Sequence, residues 1–205
     1  MNRKVMLGCL SIIGIIIVIA IILYSYGVSI YNKMVTLDES VKEKWSQVEN
    51  VYQRRLDLIP NLVETVKGYA SHEQETFLEV AEARSQAGGM LNISEDVLNN
   101  PATFQKFTEA QAGLSSALQR LMVVVERYPE LKANQNFLAL QDQLEGTENR
   151  ITIERQRFNE IARSYNTFIK QFPRVFLANL FGFKERPYFK ANEGADVAPE
   201  VDFSS

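Results

Sequence analysis

IYNKMVTLDESVKEKWSQVENVYQRRLDLIPNLV, residues 30–63, places an apolar side chain at almost every third or fourth position. Ile30, Met34, Leu37, Val41, Trp45, Val48, Tyr52, Leu56 and Ile59 form one stripe, with mostly polar and charged residues between them. An apolar face at this period marks a helix packed on one side. The phase runs on through Leu62, Val66 and Tyr69 towards Phe77 and Val80. Pro60 lies within it. A proline there removes one i→i−4 hydrogen bond and crowds the turn before it, so a kink or a break is expected between Asp57 and Asn61. No loop-forming residues surround the proline, which favours the kink. Gly88-Gly89 is expected to cap this region and turn the chain.

Downstream, the chain to Asn100 is polar, with one short turn expected at Ser94–Leu98. Asn100-Pro101 is a helix start, an asparagine N-cap before a proline at the first helical position. A second stripe follows: Phe104, Phe107, Gln111, Leu114, Leu118, Leu121, Val125 and Tyr128, stopped by Pro129. Its mean spacing of about 3.5 residues suits the seam of an antiparallel bundle. Asn134 caps a final helix whose stripe runs Phe137, Leu140, Leu144, Ile151, Phe158, Ile161, Tyr165, Phe168 and Phe172, before Pro173. The fold expected is all-α, an antiparallel bundle of three to four long helices. If Pro60 only kinks, the first helix nears ~60 residues, or ~90 Å. Its partners, at roughly 28 and 38 residues, then leave apolar stripe uncovered, which predicts self-assembly.

Upstream, Val5–Tyr26 reads VMLGCLSIIGIIIVIAIILYSY, without one charge. As a helix it spans roughly 33 Å, enough for a hydrocarbon core of ~30 Å. Tyr24 and Tyr26 sit where an aromatic belt would lie. A cleaved signal peptide has a shorter apolar core and a small-residue cleavage site, and neither is present. A lipoprotein signal ending at Cys9 has only Val5, Met6 and Leu7 as its apolar run, which is too short. A permanent transmembrane anchor is the expectation. Arg3 and Lys4 flank it closely on one side. Lys33, Lys42 and Lys44 lie further off on the other, among Asp38, Glu39 and Glu43. That asymmetry favours the N-terminus inside and the soluble domain outside the cytoplasm.

The organisation read from the chain is a flank over 1–4, a transmembrane helix over 5–26 and a bundle over 27–173. A short apolar segment covers 174–189, and an acidic, disordered tail covers 190–205. With Arg3 and Lys4 set aside, 20 of the 22 basic residues face 25 acidic ones, a balance of −5. No basic stripe appears, so nucleic acid is not expected as a partner. Cys9 is the only cysteine, so an intramolecular disulfide is excluded. Ten glycines and six prolines favour long helices over a turn-rich β fold.

Two blocks carry a family resemblance. YNKMVTLDESVKEKWSQVENVYQRRLDLIPNLVETVKGYASHE, Tyr31–Glu73, and YPELKANQNFLALQDQLEGTENRI, Tyr128–Ile151, are similar to the signature of the LemA family. FNEIARSYN, the pair Phe172-Pro173 and the piece LFGF match it too. The resemblance implies a bacterial single-pass protein of the inner membrane with a helical-bundle domain. It implies no reaction and transfers no site residue. Some members are associated with membrane organelle formation and others with membrane proteases.

No catalytic constellation stands out. His72 is the only histidine, and His72-Glu73-Gln74-Glu75-Thr76 lacks the second histidine of a zinc motif. Ser/His/Asp catalysis would have to use His72 as well. A surface histidine is the plainer reading. No metal or cofactor is expected. The candidate polar site is structural. Arg54 and Arg55 precede Pro60, with Asp57 and Asn61 beside it, while Glu145, Glu148, Asn149 and Arg150 occupy a thinning of the last stripe. These sets are expected to face each other as an ion-pair network that fixes helix register. The alternative is that these charges point to water. Gly68, Gly113 and Gly146 are read as lying inside helices, either for close helix approach or by drift. The functional expectation is a non-enzymatic, membrane-anchored scaffold that self-assembles. An adaptor or regulator of another membrane protein, such as a protease, stands second, and a hydrolase built on His72 stands last.

Overall fold

The computed structural model describes residues 3–190, except for the side chains of residues 3–11, Ser94 and Glu95. It contains seven helices and no strand among the described residues. They are α1 (Arg3–Lys67), α2 (Gln74–Leu91), α3 (Ser94–Asn99), α4 (Pro101–Val125), α5 (Pro129–Lys132), α6 (Gln135–Lys170) and α7 (Arg174–Phe181). The expected tail falls, beyond Lys190, outside the described residues.

Two compact units divide the chain. One joins α1 up to Ser46 with Glu160–Arg186; the other joins Gln47–Asn159 with the segment from Pro187. Helices α1 and α6 each contribute to both.

The second unit is an up-down-up-down bundle of α1, α2, α4 and α6. Its contacts fix the directions. Lys67 lies over the Phe77 ring while Arg84 reaches Leu56, so α1 and α2 are antiparallel. Arg120 meets Glu79 while Gln111 meets Ala87, so α2 and α4 are antiparallel. Tyr69 meets Asn134 while Arg55 meets Glu148, so α1 and α6 are antiparallel as well. The core takes Leu56, Ile59, Leu62 and Val66 from α1, Phe77 and Val80 from α2, Leu114, Leu118 and Leu121 from α4, and Phe137 from α6. Burial of such side chains is worth about 1.5–3 kcal/mol each, which is why a stripe of this period folds inward.

The helix caps are those the sequence indicates. The Asn100 side chain accepts from the N–H groups of Ala102 and Thr103. The Asn134 side chain accepts from those of Asn136 and Phe137. Each satisfies two of the four donors a helix start leaves open.

Helix α1 runs through Pro60 to Lys67 without a break, in line with the preference for a kink over a reversal there. Other expectations need correction. The chain reverses over Gly68–Glu73, where the Val66 carbonyl accepts from the N–H groups of Tyr69 and Ala70. Gly68 therefore ends a helix instead of lying inside one, and Phe77 and Val80 belong to α2. Gly88-Gly89 lies within α2, and makes no turn. Nothing lies within 4 Å of where a Cβ at Gly113 or Gly146 would stand, so neither glycine serves a close helix approach.

The stripe of α1 is also covered inside the single chain. Ile30, Met34, Val41, Trp45, Val48, Tyr52, Leu56, Ile59, Leu62 and Val66 are all buried. The premise that partner helices are too short to cover it does not hold, because α1 ends at Lys67 and α6 and the segment after it supply the cover.

In the first unit, α1 begins with a bare apolar stretch. Ile12, Ile16, Ile19 and Leu23 are each at least half exposed, and Ile30 is the first buried residue after them. The helix is long and apolar enough there to cross a membrane. Phe172-Pro173, a cis peptide, separates α6 from α7. Gly182 closes α7 with φ of 77°, a left-handed conformation that glycine adopts without a steric penalty. The Phe183 N–H then reaches back to the Ala178 carbonyl.

Candidate functional site

A buried guanidinium organises the second unit. Arg55 lies on the core side of α1 and is 2% exposed. One terminal nitrogen donates to Glu148 Oε1 on α6 at 2.9 Å and to Ser115 Oγ on α4 at 3.2 Å. The other donates to the carbonyl and the side-chain oxygen of Gln111. Nε is buried and has no hydrogen-bond partner among the described residues. The guanidinium also sits 5.1 Å from the centre of the Tyr52 ring. Burial pushes the Tyr52 hydroxyl above its usual range, against the pull of Arg155 and Arg55.

Gln111 links this charge to a third helix, since its amide nitrogen donates to the Ala87 carbonyl on α2 at 3.4 Å. The Ser115 hydroxyl donates to the Gln111 carbonyl at 3.1 Å. Its proton is therefore held by the backbone and is not presented to a base. Tyr52, Arg55, Thr108, Ser115, Glu148 and Arg155 are among the residues lining a polar cleft of about 370 Å³ over this cluster. Such an arrangement can neutralise a buried cation and lock four helices in register. A buried charge left with one acceptor fewer is costly.

Of the residues singled out from the sequence, Arg55 and Glu148 are brought together. Arg54 is exposed and donates to Gln143 at 3.2 Å. Asp57 accepts from Gln53, Asn61 offers its carbonyl to Thr65, and Glu145 accepts from Gln141, all along their own helices. Arg150, Asn149 and His72 are exposed. Among the described residues, no group of three or more His, Cys, Asp or Glu side chains could hold a metal ion. The reading missed Gln111 and Ser115. Gln111 carried a signal, a glutamine inside a stripe of Phe and Leu, because a polar group at a seam position must find partners.

Each unit also holds part of the C-terminal segment by an asparagine of α6. In the first, the Asn166 amide donates to the Arg186 carbonyl and accepts from the Arg186 N–H, both at 2.8 Å. Arg186 pairs with Asp38 of α1 at 2.5 Å, and both side chains are largely buried. The Tyr165 hydroxyl donates to the Lys184 carbonyl. Burial, and after it the negative charge of Asp38, pushes that hydroxyl up to about 12, against the pull of Arg186. In the second unit, Asn159 makes the same two-bond pair with Phe189, at 2.8 and 2.9 Å. The Phe189 ring packs among Phe104, Phe107 and Phe158. Arg155 covers it at 4.6 Å and donates to the Lys190 carbonyl.

Comparison with known proteins bears on this constellation. The LemA family profile matches residues 44–203. The chain belongs to the LemA family. This LemA-family chain is 29% identical over 189 residues to the magnetosome protein MamQ of Magnetospirillum gryphiswaldense, covering 83% of itself and 70% of that protein. It is 29% identical to magnetosome protein MamQ 2 of Paramagnetospirillum magneticum, covering 92% and 73%. It is 24% identical to protein LemA of Metamycoplasma hominis, covering 84% and 74%. For a LemA-family member, the bare apolar start of α1 fits a membrane location.

Proposed function

We propose that this protein is a non-enzymatic, membrane-anchored scaffold that self-assembles and presents its helical bundle at the membrane surface. In this reading residues 5–26 cross the inner membrane, 27–173 form the presented domain, 174–189 are a short accessory segment, and the bundle stands outside the cytoplasm. The observation that carries it is the continuity of α1. One unbroken helix supplies both a bare apolar span and part of the bundle core. A helix that only tethered would not need to be part of the core. The polar cluster at Arg55 supports the non-enzymatic reading, since its hydroxyl and charges are spent on one another.

Because the stripe of α1 is covered within one chain, assembly has to use the span or the outer faces of the bundle. Cross-linking and mass measurement of the full chain in native-membrane particles test this. Discrete multimers are expected, and a monomer at every concentration would defeat self-assembly. A second reading, an adaptor for another membrane protein, draws support from the same covered stripe, which makes the bundle self-sufficient. Leu78, 70% exposed beside a groove lined by Lys67, Gln74 and Phe77, is the surface it would use. A monomeric chain that keeps one defined membrane partner through purification, and loses it in Leu78→Glu, is the outcome that reading requires. Protease protection of the bundle in intact cells and spheroplasts tests the orientation.

A further inference from the structure

Helix α7 carries an apolar face that no other described residue covers. Phe176 and Leu180, one turn apart on α7, and Phe172, just before it, are 65%, 75% and 80% exposed. Water is a poor environment for three bulky apolar side chains in a row, and such a patch marks a binding surface. The position of the patch names its partner. Leu177 and Phe181, on the adjoining side of α7, line an almost purely apolar groove with Tyr24, Gly27, Val28 and Tyr31 of α1. The Phe181 and Phe183 rings meet Tyr31 edge-on, at 4.9 and 5.9 Å between centres. The apolar surface of α7 is therefore continuous with the end of the span, at the level of its tyrosines.

Charge points the same way. Lys170 is paired with Glu185 at 2.6 Å, and between them the chain holds Arg174 and Lys184, one near each end of α7, and no acidic residue. A short helix with one apolar face and basic residues at its ends suits the interface of a bilayer, where the face enters the acyl boundary and the cations meet headgroup phosphates. Tyr31 lies seven residues past Tyr24, roughly 10 Å along a helix, and an interfacial zone beyond the hydrocarbon is about 5–8 Å deep. The tilt usual for single spans closes that difference.

We propose that α7 is an interfacial helix that lies in the outer surface of the same bilayer α1 crosses, with Phe172, Phe176 and Leu180 inserted among lipids and with a preference for anionic headgroups. The proposal rests on the anchor reading. It makes the membrane contact two-point: a span that holds the chain in the bilayer and a side helix that fixes its rotation about that span.

Spin labels on the full chain in vesicles of phosphatidylglycerol and phosphatidylcholine test it. With Cys9→Ser as background, labels are placed singly through Leu180→Cys, Ile16→Cys and the exposed control Gln47→Cys. Collision with oxygen, which partitions into lipid, is compared with collision with a water-soluble nickel chelate. The expected result is a severalfold higher oxygen-to-nickel ratio at Leu180 than at Gln47, without spin–spin broadening. The Leu180 ratio should fall when phosphatidylglycerol is omitted. A ratio at Leu180 equal to that at Gln47 overturns the docking. So does poor access to both reagents, whether broadening relieved by unlabelled protein assigns the face to a second copy or its absence assigns it to the same chain. A Leu180 label in water beside an Ile16 label in lipid overturns the docking alone; an Ile16 label in water overturns the anchor as well.

Discussion

The Nε of Arg84, on α2, donates a 2.9 Å hydrogen bond to the carbonyl of Leu56, on α1. Leu56 stands four residues before Pro60, so its carbonyl is the acceptor that a proline at 60 leaves without an N–H. The neighbouring helix supplies the bond the proline removed, and the helix continues.

Arg84→Met should therefore cost more than an ordinary substitution of a half-buried arginine. The expected loss is about 1–3 kcal/mol in denaturant unfolding, the penalty for an acceptor left unsatisfied near the core. In a Pro60→Ala background the backbone N–H returns, and the same substitution should cost at least ~1 kcal/mol less. Equal costs in the two backgrounds would sever the link between Arg84 and the proline.

The long elements were legible because their apolar residues keep one period for many turns. The caps Asn100 and Asn134 were legible because capping is a local transaction between a side chain and the next turn. The fate of Pro60 was not, because its rescue comes from Arg84, distant in sequence. The reversal at Gly68–Glu73 was hidden for another reason. YASH has no proline, and apolar residues at Val66, Ala70 and Phe77 keep nearly the same rhythm through the turn. Of the polar site, Arg55 and Glu148 were legible as charges near a seam. Their neighbours Arg54, Asp57 and Arg150 differ from them only in helical angle, which composition does not reveal.

The Arg55 cluster makes an apolar substitution harmful. Gln111→Leu would complete the stripe of α4, yet it removes the side-chain acceptor of a buried cation. We expect about 2 kcal/mol of destabilisation by urea unfolding. Glu148→Gln should cost less, about 1 kcal/mol, because Glu148 is 43% exposed and water shares its role. Arg55→Ala should cost ~3 kcal/mol or more, because the site loses both its packing and its buried cation.

Asn166 holds Arg186 through both of its amide atoms. Asn166→Asp keeps the acceptor but loses the donor to the Arg186 carbonyl, and Asn166→Ala loses both. Hydrogen exchange at the Arg186 amide should accelerate in Asn166→Ala by about tenfold, the equivalent of ~1.4 kcal/mol of local opening. Mass spectrometry of the peptide containing Arg186 reads this directly, and an unchanged rate would show that the segment's other contacts, Asp38 and Tyr165 among them, fix it without the amide.

Tyr165 should make the fold sensitive to alkali. Its hydroxyl ionises near 12 in the folded chain, against about 10 for a tyrosine in an unfolded one. A raised folded-state value means that the stabilisation is complete below pH ~10 and is lost as pH rises through ~12. Tyr165→Phe should cost about 1 kcal/mol at neutral pH, from the bond to the Lys184 carbonyl, and should lose less stability than the wild type between pH ~10 and ~12. Denaturation midpoints across that window check both parts.

The aromatic cluster at Phe189 has a bearing on how the protein is made. Phe104, Phe107 and Phe158 close around a ring that comes later in the chain than any of them. At about 5–20 residues per second, synthesis reaches that ring on the order of 10 s after Tyr52 has been made. Through that interval the aromatic core beside Tyr52 and Phe107 stays open where Phe189 comes to sit. The closing piece of this aromatic core is therefore made after both helices it closes on, α4 and α6.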